Sequence, residues 1–378
     1  MRGDCVIITR FRKDQPGFLD FSYRIKVLAQ HYRLTIVSDA PLIQPELVVK
    51  PAEYVVLPSG KGRFGWLRYL WNCTRLVRAR RPNRVVLLHS SVAPVTLLSG
   101  GVPTAVYWNE HPTHFTAAPE GFAPLKHAVR GALRWLVFEG ARKAALVMPI
   151  GEAHMGDLLA HGCDPQRARL IYMGVDASFA RVALSGELKK DDSPLELIYV
   201  GSVSKARGRD VMLEALALAN EQGIIARLTV VGAGADELEY CRNYARRLGI
   251  AEAVSVHGRV AGHEIPGFLK DADAGICIWE DRPWWRFNPP TKLFEYLVAG
   301  LPVLASNIRT HTQYVSDWDN GVIFDYESKS LAQAIRKLWE RRAQLPALQQ
   351  RASQSGEQYL WGRIEPEFSE AIEELQRT

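Results

Sequence analysis

Residues 287–306 read FNPPTKLFEYLVAGLPVLAS and join a polar opening to an otherwise apolar segment. Two prolines precede the helical pattern, and proline is tolerated in the first turn of a helix, where its missing N–H would have no partner anyway. Lys292 is unusual there, because a cation at a helix N-terminus is unfavourable unless an anion joins it. The backbone N–H groups of residues 291–294 would point out of such a tip and suit a phosphate. The stretch predicts a helix with an anion at its N-terminus, followed by a buried strand over 302–306.

Glu295, one turn inside the same helix, has two interpretations. A carboxylate at this position can accept hydrogen bonds from two neighbouring hydroxyls, as on a ribose. Alternatively it only interacts favourably with the helix dipole, which is worth about 0.3–1 kcal/mol. The segment alone leaves both interpretations open.

Short β-rich runs alternate with helical patterns along the whole chain of 378 residues, which is typical of parallel sheets covered by helices. The predicted strands are 5–9, 34–38, 54–58, 84–89, 104–108, 145–150, 195–201, 226–232, 253–258, 274–279, 302–306 and 321–325. The predicted helices lie near 22–32, 64–80, 123–143, 151–161, 209–222, 235–248, 263–271, 290–299 and 328–342. The fold class is therefore α/β with two similar domains. We expect domains over 1–180 and 195–356, a polar linker over 181–194, and an amphipathic helix over 357–378.

Three loops of the second domain end strands at one edge of its predicted sheet. YVGSVSKARG (199–208) carries Gly201, Lys205 and Arg207 before a helix, and this loop suits a diphosphate or is simply a solvated basic turn. VVGAGAD (230–236) lacks the third glycine of a dinucleotide fingerprint and predicts only a tight turn. HGRV (257–260) either contacts a base edge or makes a corner. Paired α/β domains usually bind ligands in the cleft between them, beyond the carboxyl ends of the strands.

Taken together, these segments resemble retaining glycosyltransferases of family 4 in their order and spacing. The resemblance rests on YVGSVSKARG, VVGAG, HGRV, ADAGICIW and PTKLFEYLVAGLPVLAS, and it covers nearly all of 195–325. IYMGVDASF (171–179) is similar to the family's PNGVD…F motif, with Met173 at the usual asparagine. The resemblance implies the GT-B fold: two Rossmann-like domains facing across a cleft, the nucleotide sugar bound by the second, and a last helix that returns to the first.

The resemblance also implies roles for individual residues. Glu295 corresponds to the ribose-binding glutamate and Arg207 to a phosphate-binding cation. Ser202 stands where the family often has arginine, so Lys205 is expected to supply part of that charge. The other implied donor-binding residues are Gly201, Arg259 and Val260 in the base pocket, and Pro290, Thr291, Lys292, Leu293 and Phe294 at the helix tip.

One departure concerns the sugar of the donor. The family commonly has a second glutamate eight residues before Glu295, and this chain has Phe287, as in the subgroup with a P-x-K-x-x-E-Y pattern. Glu280 and Asp281, in the loop WEDRPWWRF, are candidates for its role. They are equally well explained as exposed charges on a loop.

The strand TAVYWNEHP (104–112) brings polar residues to the carboxyl edge of the first sheet. We expect His111 to contact the transferring sugar or the β-phosphate, with Glu110 as the second candidate; the alternative is a histidine that caps the turn before Pro112. His89 and His114 are weaker candidates. No side chain is an obvious nucleophile, and the resemblance implies a short-lived oxocarbenium-like state. Its leaving diphosphate would be stabilised by Arg207, Lys205, Lys292 and the helix tip. No carboxylate cluster points to a metal, so we expect no cofactor.

The positive charge lies in the first half of the chain. Residues 1–180 carry 23 Lys/Arg and 13 Asp/Glu, whereas residues 181–378 carry 24 and 28. Two helical patterns, 64–81 and 122–143, combine arginines with Trp and Phe, and they are either amphipathic helices packed on a sheet or a surface for an anionic membrane. Nucleic acid would be the other polyanionic partner, but no known reader motif is present, so none is expected.

The composition is that of a folded soluble protein, with 47% hydrophobic and 23% charged residues. Five scattered cysteines favour free thiols in a reducing compartment, and no run is apolar enough to cross a membrane. No leader precedes the first strand, so we expect a cytoplasmic protein, peripheral on the inner face of the membrane.

The sequence thus predicts an enzyme that moves a sugar from a UDP- or GDP-sugar, with retention, to a lipid-linked or membrane-associated glycan. Cell-surface polysaccharide or glycolipid biosynthesis is the expected setting. The alternatives are a sugar-nucleotide epimerase, an inverting transferase of the same fold, and a non-catalytic protein that binds nucleotide sugars.

Overall fold

The computed structural model describes residues 3–11, 17–42, 53–60, 62–115, 124–185 and 193–375. Contacts divide the chain into two compact units. The first runs to Met173 and includes the chain from Ile364 onward; the second is Gly174–Arg363. The expected domain bounds at 180, 194 and 356 stay predictions, and residues 186–192 of the expected linker lie outside the described residues.

The first unit contains a six-stranded parallel sheet in the order β3-β2-β1-β4-β5-β6. Its strands are β1 (Asp4–Thr9), β2 (Arg33–Ser38), β3 (Glu53–Val56), β4 (Arg84–Leu87), β5 (Thr104–Trp108) and β6 (Leu146–Pro149). Its helices are α1 (Phe18–His31), α2 (Gly62–Arg80), α3 (Pro112–Phe115), α4 (Pro124–Arg142) and α5 (Glu152–Ala160). All six strands predicted for this half are confirmed, and β4 and β5 are buried throughout, as strands covered on both faces must be.

The second unit repeats the architecture in the order β12-β11-β10-β7-β8-β9, again with parallel strands. Its strands are β7 (Leu195–Val200), β8 (Ala226–Ala233), β9 (Val254–Gly258), β10 (Ala274–Cys277), β11 (Val303–Ser306) and β12 (Gly321–Phe324). Its helices are α6 (Arg209–Glu221), α7 (Ala235–Arg247), α8 (Ile265–Leu269), α9 (Thr291–Ala299), α10 (Arg309–Thr312), α11 (Ser328–Glu340) and α12 (Leu345–Gly356). The sequence predicted these six strands but not α12.

A glycine in β10 determines how closely α9 approaches the second sheet. A Cβ on Gly275 would lie 2.4 Å from Cδ2 of Tyr296, so only glycine leaves room for that ring. The Tyr296 hydroxyl in turn accepts a hydrogen bond of 2.8 Å from the backbone N–H of Val200, at the end of β7. This packing fixes the first turn of α9 beside the carboxyl end of β7.

The last helix, α13 (Trp361–Glu374), packs on the first unit from Ile364 onward. Arg84, which is fully buried, donates a hydrogen bond of 2.6 Å to the carbonyl of Ile372. The guanidinium of Arg24 lies 4.9 Å from the ring centre of Phe368. The predicted return of the C-terminal helix to the first domain is confirmed.

Candidate active site

The strand order of the second sheet places a switch point at β7 and β10. The chain continues from β7 to β8 on one side, whereas β10 and its successors lie on the other. In open parallel sheets, ligands bind outside the carboxyl ends of the strands at such a point. Four of the predicted donor-binding residues, Gly201, Ser202, Lys205 and Arg207, follow β7 at this edge, and Trp279 follows β10.

Two glycines allow close backbone packing at this edge. Gly201 has φ 128° and Gly232 has φ 111°, a region that residues with a Cβ rarely adopt. A Cβ on Gly201 would lie 3.0 Å from Nζ of Lys292, and a Cβ on Gly232 would lie 2.5 Å from the carbonyl oxygen of Gly201. The glycine of the VVGAG turn therefore supports the Gly201 backbone, and Gly201 leaves room for the lysine.

Lys292, in the first turn of α9, points its ammonium group inward. The residue is 6% exposed, and Nζ lies 3.6 Å from the ring centre of Tyr199. Within the described parts of the chain, Nζ has no hydrogen-bond partner. An ammonium without a partner is costly to bury, so this position favours an anionic ligand.

Lys292 and Glu295 both titrate near neutrality. Burial lowers the pKa of the Lys292 ammonium to about 7; Cys277 and Glu295 act in the opposite direction, and Arg207 lowers this pKa further. Burial raises the pKa of the Glu295 carboxyl to about 7, while Lys292 acts in the opposite direction. Both groups can therefore gain or lose charge when a ligand binds.

The rest of the first turn of α9 anchors the helix. The side chains of Leu293 and Phe294 are fully buried, and Phe294 packs edge-on against Tyr314 at 5.0 Å between ring centres. The N–H of Leu293 donates to the carbonyl of Pro290 at 3.1 Å. The Leu293 and Phe294 side chains thus belong to the core and are not available for the predicted donor contact, and the N–H of Leu293 is already bonded to Pro290.

The segment after β7 supplies two further cations. Lys205 to Arg207 form a 3-10 turn that ends at Gly208, where a Cβ would lie 2.6 Å from Ile278. Arg207 is half-buried, with its guanidinium 5.9 Å from the ring centre of Trp279, while Lys205 is exposed. The carbonyl of Ser202 accepts a hydrogen bond of 2.9 Å from the Tyr199 hydroxyl, which fixes the start of the loop.

Trp279, which the sequence did not single out, is the aromatic residue of this edge. It is followed by a 3-10 turn over Pro283–Arg286, and its ring stacks on that of Trp285 at 5.3 Å. His311 lies 5.4 Å away, buried, with its pKa lowered to about 3 by burial. The sequence could have indicated Trp279 as a site residue, because it begins an aromatic-rich loop directly after a buried strand.

Glu280 and Asp281, the two carboxylates proposed from the sequence for the sugar, form ion pairs with loop arginines. Glu280 lies 2.7 Å from Nη2 of Arg282, and Asp281 lies 2.7 Å from Nε of Arg286. The hydrogen bond to Arg286 lowers the pKa of Asp281. Both carboxylates thus have cationic partners within the loop.

Arg259 and Val260 follow β9, which lies two strands from β7. Arg259 is exposed and Val260 is half-buried. The structure places them at the far side of the same edge, separate from the cluster of Lys292, Arg207 and Gly201.

In the first unit, Glu110 lies between two histidines. β1 and β4 form the switch point of this sheet; His89 follows β4 and Glu110 follows β5. Nε2 of His89 lies 3.3 Å from the Glu110 carboxylate, and Nδ1 of His114 contacts its other oxygen. Burial would raise the pKa of Glu110, but the hydrogen bonds from His114 and His89 hold it well below its usual range. Glu110 is thus an ionised carboxylate at a strand end.

His111 points into the protein. Its Nε2 lies 2.9 Å from Asp157, and its Nδ1 lies 2.6 Å from the Thr113 hydroxyl. Because the backbone N–H of Thr113 also donates toward Nδ1 at 3.3 Å, Nε2 is the nitrogen that donates to Asp157. Both ring nitrogens are therefore engaged within the protein, and the predicted contact with the sugar or phosphate would require a rearrangement.

Two known families match the chain. Residues 182–358 match Glycosyl transferases group 1, and residues 21–174 match the Glycosyl transferase 4-like domain. Both models describe glycosyltransferases, and together they extend over both units of the chain, which has the two-sheet architecture of the GT-B fold. A relative named as a colanic acid biosynthesis glycosyltransferase, WcaL of Salmonella typhimurium, is 27% identical over 167 residues, or 44% of this chain and 40% of WcaL. The chain thus spans less than half of that relative.

Solved structures show the same fold. The crystal structure of Anabaena HepE in complex with UDP superimposes with a TM-score of 0.72 at 17% identity, over 98% of this chain and 99% of HepE. The lipopolysaccharide outer core galactosyltransferase WaaB gives a TM-score of 0.69 at 15% identity, over 98% of this chain and 99% of WaaB. At these identities the likeness establishes the fold of the chain alone.

The described residues contain no group of three or more His, Cys, Asp or Glu residues placed to hold a metal ion. None of the helices in the described ranges is both long and apolar enough to span a membrane.

Proposed function

We propose that this chain transfers a sugar from a nucleoside-diphosphate sugar, with retention of anomeric configuration, to a lipid-linked or membrane-associated glycan. The observation that carries the proposal is the buried ammonium of Lys292, which has no hydrogen-bond partner among the described residues and lies next to Gly201 at the switch point. A diphosphate would supply the missing anion. The lysine of the subgroup pattern P-x-K-x-x-E-Y would then be explained by its charge interaction with that diphosphate.

The donor is a UDP- or GDP-sugar, with UDP-sugars the first to test because HepE was crystallised with UDP. Lys292, Arg207, Lys205 and the N-terminus of α9 bind the diphosphate. Glu295 accepts hydrogen bonds from the ribose hydroxyls. Gly201, Arg259 and Val260 line the base pocket.

The reaction forms a bond between the acceptor oxygen and the anomeric carbon and breaks the bond from that carbon to the β-phosphate oxygen. The electron pair of the broken bond and the proton of the acceptor hydroxyl both end on the leaving diphosphate. Fixed cations stabilise the charge that develops there, and we propose that they do so without a metal ion or other cofactor. Glu110 and His111 stay predictions as catalytic residues acting on the transferring sugar.

The acceptor side of the proposal rests on two helices of the first unit. On α2, Trp71 is 54% exposed; on α4, Leu125 and Trp135 are 78% and 63% exposed. Exposed basic residues accompany them, among them Arg68 and Lys126. Aromatic and basic side chains together suit an anionic lipid surface, so we place the enzyme at the cytoplasmic face of the membrane, in cell-surface polysaccharide or glycolipid biosynthesis.

Ligand-induced stabilisation tests the donor. The protein is heated with UDP, GDP and a panel of their sugars, since a ligand that binds only the folded state raises Tm according to its concentration and Kd. Sugars that stabilise are then incubated with lipid-linked acceptors, and the anomer of the product is read by NMR. Stabilisation without turnover on any acceptor would leave a non-catalytic binding protein, and conversion of the free nucleotide sugar would leave an epimerase.

Vesicle binding tests the membrane surface. Substituting Trp71→Ser together with Trp135→Ser should weaken binding to vesicles of phosphatidylglycerol and phosphatidylcholine by about tenfold or more, because two indoles no longer leave water. Ile225→Ser is the matched control, since Ile225 is an exposed apolar residue of the second unit. Equal binding by all three proteins would refute the membrane assignment.

A further inference from the structure

The indole of Trp279 is a buried hydrogen-bond donor without a partner. The residue is 6% exposed, and across the ranges that the structure describes nothing accepts from its Nε1–H. A buried donor left unpaired destabilises the folded protein, so a native structure rarely retains one without a reason.

The position of this indole is fixed from several sides. Oγ of Ser306 lies 3.0 Å from both the backbone nitrogen and the carbonyl oxygen of Trp279, accepting from the first and donating to the second. The ring stacks on Trp285 and lies beside His311. Its N–H direction is therefore determined before any ligand arrives, which is what a recognition group requires.

The indole also lies near the proposed diphosphate site, beside which the sugar of the donor would be bound. Trp279 follows β10 at the switch point, and its ring centre is 5.9 Å from the Arg207 guanidinium, one of the proposed diphosphate cations. The sugar of a nucleotide sugar is bonded directly to the β-phosphate, so its hydroxyls lie next to that diphosphate. Phe287 offers no carboxylate for them, and Glu280 and Asp281 are already paired with arginines.

We propose that Nε1–H of Trp279 donates a hydrogen bond to a hydroxyl of the donor's sugar. This assignment rests on the proposed function and adds to it a residue that distinguishes nucleotide sugar from free nucleotide. Because Ser306 holds the backbone on one side and Trp285 stacks on the ring, only hydroxyls in one orientation can accept, which makes Trp279 a residue that selects among sugars.

Calorimetry on a conservative variant tests the assignment. Trp279→Phe keeps an aromatic ring but lacks the N–H. UDP should bind it as it binds the native protein, whereas the UDP-sugar that the native protein binds most tightly should bind about 3- to 10-fold more weakly. Trp285→Phe is the matched control, because it alters the same stack but leaves the Trp279 N–H in place, and its ratio of the two Kd values should be unchanged.

Indole NMR gives a second readout that uses the native chain. The protein has 10 tryptophans, and the Trp279 resonance is assigned by its absence from the Trp279→Phe spectrum. We expect this resonance to move on addition of the UDP-sugar and to stay in place with UDP. An equal movement with UDP would assign the N–H to the phosphate and overturn the proposal, as would an unchanged resonance and Kd ratio. A native protein that binds no nucleotide at all overturns the proposed function itself.

Discussion

Replacing Lys292 with methionine should change stability and ligand binding in opposite directions. Methionine keeps the length of the apolar stem and removes the charge. Burial lowers the pKa of Lys292 from 10.5 to about 7. At about 1.4 kcal/mol per pKa unit, the native protein at pH 7 bears a cost of up to about 4 kcal/mol. The variant also loses the stabilising contact between the ammonium and the Tyr199 ring, which is worth roughly 0.5–2 kcal/mol. The net effect without ligand should be a free energy of unfolding about 2–3 kcal/mol higher for Lys292→Met than for the native protein.

The same substitution should weaken donor binding. Two unit charges about 4 Å apart attract by about 4 kcal/mol at an effective dielectric constant near 20. Half-protonation of the amine at its pKa removes about 0.4 kcal/mol of this attraction, and desolvation of the diphosphate offsets a further part, so we expect a net loss of about 2–3 kcal/mol, or roughly 30- to 150-fold in the Kd for UDP.

The pH dependence follows from the sign of the pKa shift. Between pH 7 and 10.5 the unfolded chain binds more protons at Lys292 than the folded chain does, so the native protein gains stability relative to the variant as pH rises. The Tm advantage of Lys292→Met should be greatest at or below pH 7 and vanish toward pH 10.5. Affinity for UDP should fall above pH 7 in the native protein, and Lys292 should contribute no such fall in the variant.

Thermal unfolding and titration calorimetry measure both effects. Lys337→Met is the control: it removes an exposed charge on α11 and should change neither the Tm nor the Kd. A Lys292→Met protein with a lower Tm at pH 7 and an unchanged Kd would refute the reasoning, because it would show that the ammonium supports the fold.

Three further predictions concern neighbouring positions. Glu295→Gln should weaken UDP binding about tenfold at pH 8, where the native carboxyl with its pKa of about 7 is ionised, and much less at pH 6; calorimetry at both values checks this. Gly275→Ala should lower the free energy of unfolding by about 1–3 kcal/mol, because the new methyl group would collide with the Tyr296 ring, and urea unfolding that matched the native protein would contradict that packing. Glu110→Gln should reduce the transfer rate at least tenfold and leave the Kd for UDP unchanged in equilibrium binding, and a normal rate would remove Glu110 from the catalytic candidates.

The strands were predictable because their burial leaves a simple pattern. β4 and β10 are buried at every position, and their apolar runs are flanked by polar turns, so sequence alone located them. α12 was missed because its apolar residues are few, and its buried Leu348 and Ala352 are recognised only once their neighbours are known. The last helix was placed through the family resemblance, since the buried Arg84 that holds it resembles a surface residue in the sequence.

For the candidate site, the sequence located the loop after β7 and the first turn of α9, but it did not single out Trp279 or predict how the side chains point. Lys292 was expected at a helix tip, and the structure shows its amine turned inward against Gly201 and Tyr199. His111 was expected to face a ligand, whereas both of its ring nitrogens are bonded to Asp157 and Thr113. Side-chain direction depends on packing between elements distant in the sequence, which periodicity does not report.

Two donors in the described part of the second unit, Nζ of Lys292 and Nε1 of Trp279, are buried without a hydrogen-bond partner. Nζ of Lys292, from α9, lies next to Gly201 after β7, and Trp279 follows β10, so both lie by adjacent strands at one switch point. Each side chain is held in place by apolar packing or by backbone hydrogen bonds, and only its polar nitrogen has no hydrogen-bond partner. Such an arrangement lowers stability without ligand, and only a molecule with an anion and an adjacent hydroxyl would repair both deficits at once. A nucleotide sugar has that combination across a single phosphoester bond, whereas a free nucleoside diphosphate lacks the hydroxyls of the transferred sugar. If the chain binds such a donor, the Trp279 N–H is therefore expected to favour the intact donor over its nucleotide product.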